Sequence, residues 1–253
     1  MGHFDLESRK GKAPGGYNCP LAESGAPFIF MNAAGQLDDV TTMVHEGGHA
    51  IHSFLSHDLE LNGFKEYPME IAEVASMAME LFSMHHWNVY FNNKEELKRA
   101  KEQQLERVIT IFPWIATIDK FQHWIYENPQ HTEEELSGQW LAILEEFSSP
   151  VIDFTRLEEY RRYAWQRQLH LYEVPFYYIE YGIAQLGAIG LWQQFKLNPD
   201  TAIDNYINAL QLGGTRTLPE LFKAAGLNFN FSPGYISQLM LFVKKEMDDL
   251  MII

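Results

Sequence analysis

Cysteine is almost absent from this 253-residue chain, where Cys19 stands alone. One thiol cannot close a disulfide within the chain, which excludes a disulfide-stapled framework and fits a reducing compartment. Basic residues are also scarce: 19 Lys and Arg face 34 Asp and Glu, for a formal net charge of −15. That excess repels nucleic-acid phosphates and anionic lipid surfaces, so neither is an expected partner. Long apolar runs are missing as well. GIAQLGAIGLW, at 182–192, is too short and too interrupted to span a bilayer. The opening MGHFDLESRKGKAPGG has no apolar stretch of the kind a signal peptide needs. The expectation is a cytoplasmic protein without membrane contact.

Apolar residues make up 46% of the chain and aromatics 14%, enough for a sizeable packed core. The first 36 residues are rich in Gly, Pro and turn formers, with one β-like run, PFIFMN at 27–32. The remainder reads as helix. Asp38 or Asp39 suits the cap of a helix reaching about His57, and Pro68 the first turn of a second over 69–91. A charged helix from Lys94 is expected to break or kink at Pro113. Thr132 and Glu135 form a T-x-x-E capping box for a helix to about Phe147. Residues 155–192 are helical in pattern with a break near Pro175, and Thr217 and Ser232 open two final helices. No repeat or linker interrupts the pattern, so a single, mainly α domain over 1–253 with a small β element near the N-terminus is expected.

The segment VHEGGHAIHSFLSH, 44–57, carries four histidines and a glutamate. On a helix, His45 and His49 project from one face about 6 Å apart along the axis, close enough for both imidazoles to reach one ion. Glu46 stands at the edge of that face, where it can act on a water instead of the ion. Two ligands and a base are what H-E-x-x-H supplies to zinc peptidases; the alternative is a solvated helix face. His52 lies on the same side, but three ligands on one straight helix would span about 10.5 Å, so it is read as packing or support. His57, at the helix end, is read as a surface residue.

A catalytic zinc needs a third protein ligand and one open position. The run EIAEVASMAME offers Glu70, Glu73 and Glu80, and no Lys or Arg occurs between Lys65 and Lys94. A helix this apolar is expected to be buried, and buried carboxylates need partners. Glu73 and Glu80, seven apart, share a face from which Glu70 is turned by about 60°. A metal held by one, with another supporting a ligating histidine, accounts for their presence; acids at helix ends or on the surface are the alternative.

These segments resemble the thimet oligopeptidase and oligoendopeptidase F family of zinc metallopeptidases, whose hallmark is H-E-x-G-H-x-x-H followed about 25–30 residues later by a ligand glutamate. HEGGHAIH matches the first part, and A-E-V-A-S falls so that Glu73 takes the ligand position, 28 residues after His45. The resemblance implies a zincin-type helical domain holding one Zn2+ per chain through His45, His49 and Glu73, with Glu46 as general base and Glu80 supporting a ligand. HLYEVPFYYIEYGIAQ, from His170, is similar to the histidine and tyrosine-rich run that hydrogen-bonds the substrate carbonyl in the family. It implies catalytic roles for His170, Tyr178 and Tyr181, with Tyr177 as the alternative if the alignment gap is placed otherwise; a tyrosine stripe in a core is the other reading.

Family members are about twice this length or more, and their N-terminal helices wall a deep channel. The chain is therefore expected to be the catalytic portion, without the family's N-terminal region. It would be either a minimal domain or one whose missing wall comes from a second copy or a partner chain. The function expected is hydrolysis of internal bonds in short peptides. A non-catalytic zinc-stabilised interaction module and a zinc carboxypeptidase are the alternatives. PFIFMNAAG is either a strand edge open to substrate or an ordinary buried strand, and Gly213-Gly214 either a mobile loop or a plain connection.

Overall fold

The Gly- and Pro-rich start of the chain folds into a small mixed sheet. In the computed structural model, which describes residues 2–21 and 23–251, β3 (Phe28–Ala33) is the central strand. It pairs in parallel with β1 (Phe4–Glu7) and antiparallel with β2 (Tyr17–Cys19). Both edges of PFIFMN are thus occupied, and the outer strands of the sheet are β1 and β2. Lys12 pins the sheet from inside: its buried Nζ donates to the carbonyls of Asp5 (2.9 Å), Glu7 (2.9 Å) and Met31, and lies over the Phe30 ring.

Ten α-helices follow among the described residues. The site helix α1 spans Leu37–Leu55 and is capped by Gln36, not by Asp38 or Asp39. Asp39 acts from inside the first turn, its Oδ2 accepting the N–H groups of Ala34, Gly35 and Gln36 at 2.6–2.9 Å. The second helix, α2 (Met69–Ser83), begins immediately after Pro68 and tightens into a 3-10 turn over Met84–Val89, where the expected helix ran on to 91. α3 (Lys94–Glu127) carries through Pro113 without interruption. Pro113 removes one backbone donor, while Val108, Ile115, Ile118 and Phe121, all buried, anchor the turns on either side.

α4 (Glu133–Phe147) starts at the Thr132–Glu135 box, each partner bonded to the other's backbone. Short helices α5 (Glu158–Arg162) and α6 (His170–Glu173) precede α7 (Tyr178–Leu197), with the break at Pro175 and Phe176 in a left-handed conformation, φ 63°. α8 (Pro199–Leu210), a helix not among those expected, is capped by Asn198 with Pro199 in its first turn. α9 (Leu218–Ala224) and α10 (Pro233–Met251) begin where Thr217 and Ser232 indicated.

The chain divides into two compact units, 1–105 with 183–253, and 106–182. In the first, α2 is the central helix. Residues 71–78 are buried without exception; the buried Tyr206 hydroxyl donates to the Ala75 carbonyl at 2.8 Å, and a Cβ at Gly187 would meet both Val74 and Phe222. The second is built on Ile118, Phe121, Trp140 and Ile143, with Trp140 Nε1 donating to the Arg161 carbonyl at 2.9 Å. No helix among the described residues is long and apolar enough to cross a membrane.

Candidate metal centre

Two helices of the first unit bring His45, His49 and Glu73 together. Gly48 makes the approach close. A Cβ built there would stand 2.6 Å from the Ala75 carbonyl oxygen and 2.6 Å from Ser76 Cα. Only a residue without a side chain lets the α1 backbone sit against α2 at this point, one residue from His49 and two from Glu73. Gly47, its neighbour, has nothing within 4 Å.

His45 Nε2 lies 3.5 Å and His49 Nε2 3.8 Å from Glu73 Oε2, and one donor atom from each of the three falls within 4.8 Å of the others. Ligands about 2.0–2.1 Å from a tetrahedral zinc stand roughly 3.3 Å apart, so small side-chain adjustments suffice for this donor set to accept one. Among the described residues it is the one group of His, Cys, Asp and Glu so arranged. Glu70, in the first turn of α2 and half-buried, lies outside it. Ser76 Oγ donates to Glu73 Oε2 at 3.1 Å, which fixes the carboxylate. His45 Nδ1 meets Glu80 Oε1 at 2.6 Å, and Gln104 Nε2 donates to Glu80 Oε2 at 2.6 Å.

The charges in the centre act strongly on one another. Burial alone would lower the His45 pKa. The hydrogen-bonded Glu80 carboxylate and the nearby Glu73 and Glu46 outweigh it and carry that pKa up to about 9. His49 is pushed down to about 3 by burial and by the charge of His45. Burial also raises Glu73, against the pull of His45 and Ser76. Glu46 is 5% exposed and raised to about 7, first by burial and then by Glu73 and Glu80, with His45 opposing. Its Oε2 has no hydrogen-bond partner among the described residues, and Gly16 crosses over it so closely that a Cβ there would lie 3.3 Å from Oε1.

His52 is fully buried and stacks on Tyr67, ring centroids 3.4 Å apart, so it packs, one of the two roles expected of it. His57, read as a surface residue, is half-buried against Gly25, where a Cβ would come within 2.8 Å of its ring. The Gly213-Gly214 segment is docked, with Gly214 N–H donating to the Phe64 carbonyl at 2.7 Å.

In the second unit, His170, Tyr178 and Tyr181 also come together. His170 Nε2 is 3.3 Å from the Tyr181 hydroxyl, and its Nδ1 is 2.6 Å from Gln168 Nε2. Tyr178 lies edge-on to His170, centroids 5.0 Å apart, while its ring packs on the core of that unit. The Tyr177 ring is 5.8 Å from His170. Gln104, buried beside Glu80, is not among the residues that the sequence alone singles out. Its signal was a neutral amide on the same stripe of α3 as Ala100, Leu105 and Val108.

Fold and site define a mainly helical protein with a His–His–Glu group able to hold a metal ion beside a buried glutamate. The chain belongs to peptidase family M3, whose model matches residues 1–241. The oligoendopeptidase F homolog of Borreliella burgdorferi is 26% identical over 219 residues, 84% of this chain and 36% of that protein. The oligopeptidase PepF of Bacillus subtilis is 25% identical over 259 residues, 97% of this chain and 36% of that one. The solved structure of PZ peptidase A with inhibitor 2 matches at a TM-score of 0.89 and 32% identity, over 98% of this chain and 44% of its own. The chain thus spans less than half the length of these relatives.

Proposed function

We propose that this chain is the catalytic portion of an oligopeptidase that hydrolyses internal bonds of short peptides at a single zinc site, all of 1–253 serving as one catalytic domain. The observation that carries the reading is the convergence of His45, His49 and Glu73 beside Glu46, a buried carboxylate whose Oε2 has no partner among the described residues. The three ligands would hold one Zn2+, which when bound supplies Lewis-acid polarisation and acidifies water. Glu46 takes the proton from the attacking water and passes it to the leaving amine. Its burial keeps bulk solvent from competing for the carboxylate. Glu80 holds His45 by Nδ1, so the ring offers Nε2 to the metal. Hydrogen bonding to the substrate carbonyl as charge builds on its oxygen is assigned to His170, Tyr181 and Tyr178.

The experiment is cleavage of an internally quenched peptide by metal-loaded protein, with product masses recorded. Cleavage within the peptide that a chelator abolishes and zinc restores is expected. Release of single C-terminal residues would favour a carboxypeptidase, and a zinc-loaded chain that cleaves nothing would leave a binding module.

A further inference from the structure

We propose that Gln104 is a positioning residue for the metal centre: it holds Glu80 so that Glu80 in turn fixes the tautomer and aim of His45. The proposal rests on the metallopeptidase reading only in requiring that the chain bind zinc.

The geometry leaves each oxygen of Glu80 one task. Oε1 faces His45 Nδ1 at 2.6 Å and Oε2 accepts from Gln104 Nε2 at 2.6 Å. A carboxylate offers no proton, so Nδ1 must carry one, and the Nε2 lone pair is left for the metal on the side of Glu73. The amide of Gln104 is oriented by the same logic, since its oxygen turned toward Glu80 would set acceptor against acceptor. A glutamate held at one oxygen still swings about its stem; held at both, from α1 and from α3, it does not.

The placement of Gln104 has a cost that packing alone does not explain. The side chain is 3% exposed among Ala100, Leu105 and Val108, and its Oε1 has no hydrogen-bond partner among the described residues. A buried polar atom left unpaired is destabilising, and an apolar residue of the same volume would fill the space without it. The amide is accounted for by the one bond it makes. Although α3 contributes no ligand, it thereby joins the centre through Gln104.

A double-mutant cycle tests this. Zinc affinity is measured by competition with a chromogenic chelator for the wild-type chain, Gln104→Met, Glu80→Leu and the double variant, with thermal unfolding recorded for each. Gln104→Met keeps the volume and removes the donor. It should weaken zinc binding about tenfold, the low end of the 10- to 100-fold cost of losing a ligand's direct partner, because Gln104 acts one step further out, through Glu80. In the Glu80→Leu background the same change should cost no more than about twofold, because the group it acts through is gone. Gln104→Leu serves if the methionine variant does not fold. Unchanged affinity in Gln104→Met or Gln104→Leu overturns the proposal, as does an equal loss in both backgrounds, which would mark a packing role. A wild-type chain that binds no zinc overturns this and the proposed function together; variants equal to a zinc-binding wild type overturn this alone.

Discussion

Adding one methyl group at Gly48 should separate the two helices that carry the ligands, while the same change one residue earlier should strengthen the protein. At Gly48 the new Cβ would meet the Ala75 carbonyl oxygen and Ser76 Cα at 2.6 Å, and α1 must withdraw by about 0.8 Å to reach an ordinary contact of 3.4 Å. Both opposing atoms belong to backbone inside α2, so no rotamer change relieves the clash. Alanine recovers about 1 kcal/mol of helix propensity at either site. Overpacking a close contact costs about 1–3 kcal/mol, and more where backbone must move. Because the opposing atoms are backbone the upper end of that cost applies, so Gly48→Ala should lose about 2 kcal/mol net or more, and Gly47→Ala, with nothing within 4 Å, should gain about 0.5–1 kcal/mol. For a chain of this length each kcal/mol shifts Tm by about 2–4 °C, which thermal unfolding of the metal-free proteins resolves. The withdrawal also exceeds the tolerance of about 0.2 Å on metal–ligand distances, so zinc affinity should fall at least tenfold in Gly48→Ala and stay unchanged in Gly47→Ala. A Gly48→Ala protein as stable as Gly47→Ala, with full zinc affinity, would refute the reasoning.

Further outcomes follow from the same geometry. His45→Ala, His49→Ala and Glu73→Ala should each abolish stoichiometric zinc binding while Glu70→Ala keeps it, as metal analysis after dialysis would read; the reverse for the two glutamates would move the third ligand to Glu70. Tyr181→Phe should lower kcat and kcat/KM together by roughly 10²–10³-fold without loss of zinc, and normal turnover would leave the carbonyl to His170 and Tyr178. His52, buried beside Tyr67 and with the charge of His49 adding to the effect, has its pKa pushed down to about 3. Below the ordinary histidine value of 6.5 the unfolded chain takes up a proton that the folded chain refuses, so stability drains away as pH falls from 6.5 toward 3. His52→Phe should lessen that slope by about 1 kcal/mol per pH unit, measured by denaturant unfolding at pH 6.5, 5.5 and 4.5; an unchanged slope would mean that another group carries it.

Features governed by local chemistry were legible in the sequence. The Thr132–Glu135 box, the Thr217 start and the break at Pro175 all lie within a few residues of their causes, and α4, α9 and α7 begin accordingly. The spacing of His45 and His49 is a helix property, and the absence of Lys and Arg from 66–93 foretold the burial of α2. What escaped was set by tertiary contact. Pro113 does not end α3, because apolar turns before and after it are anchored in the interior. Gln36 is a weak capping residue by type, and it takes the cap because Asp39 gathers three N–H groups around it. PFIFMN reads alike as an edge or as a centre; only the partners from 4–7 and 17–19 make it central. Gln104 lies in a charged stretch whose composition points to solvent, and its meaning depends on Glu80, 24 residues away.

The measurement nearest the central claim is turnover of Glu46→Gln carrying its full complement of zinc. The amide keeps the volume of the buried carboxyl next to His45 but cannot take a proton. Zinc content should match that of the wild-type chain, and kcat on an internally quenched peptide should fall by 10²-fold or more, on the order expected when a general base is lost. A zinc-loaded Glu46→Gln chain that cleaves at near the wild-type rate would contradict the account.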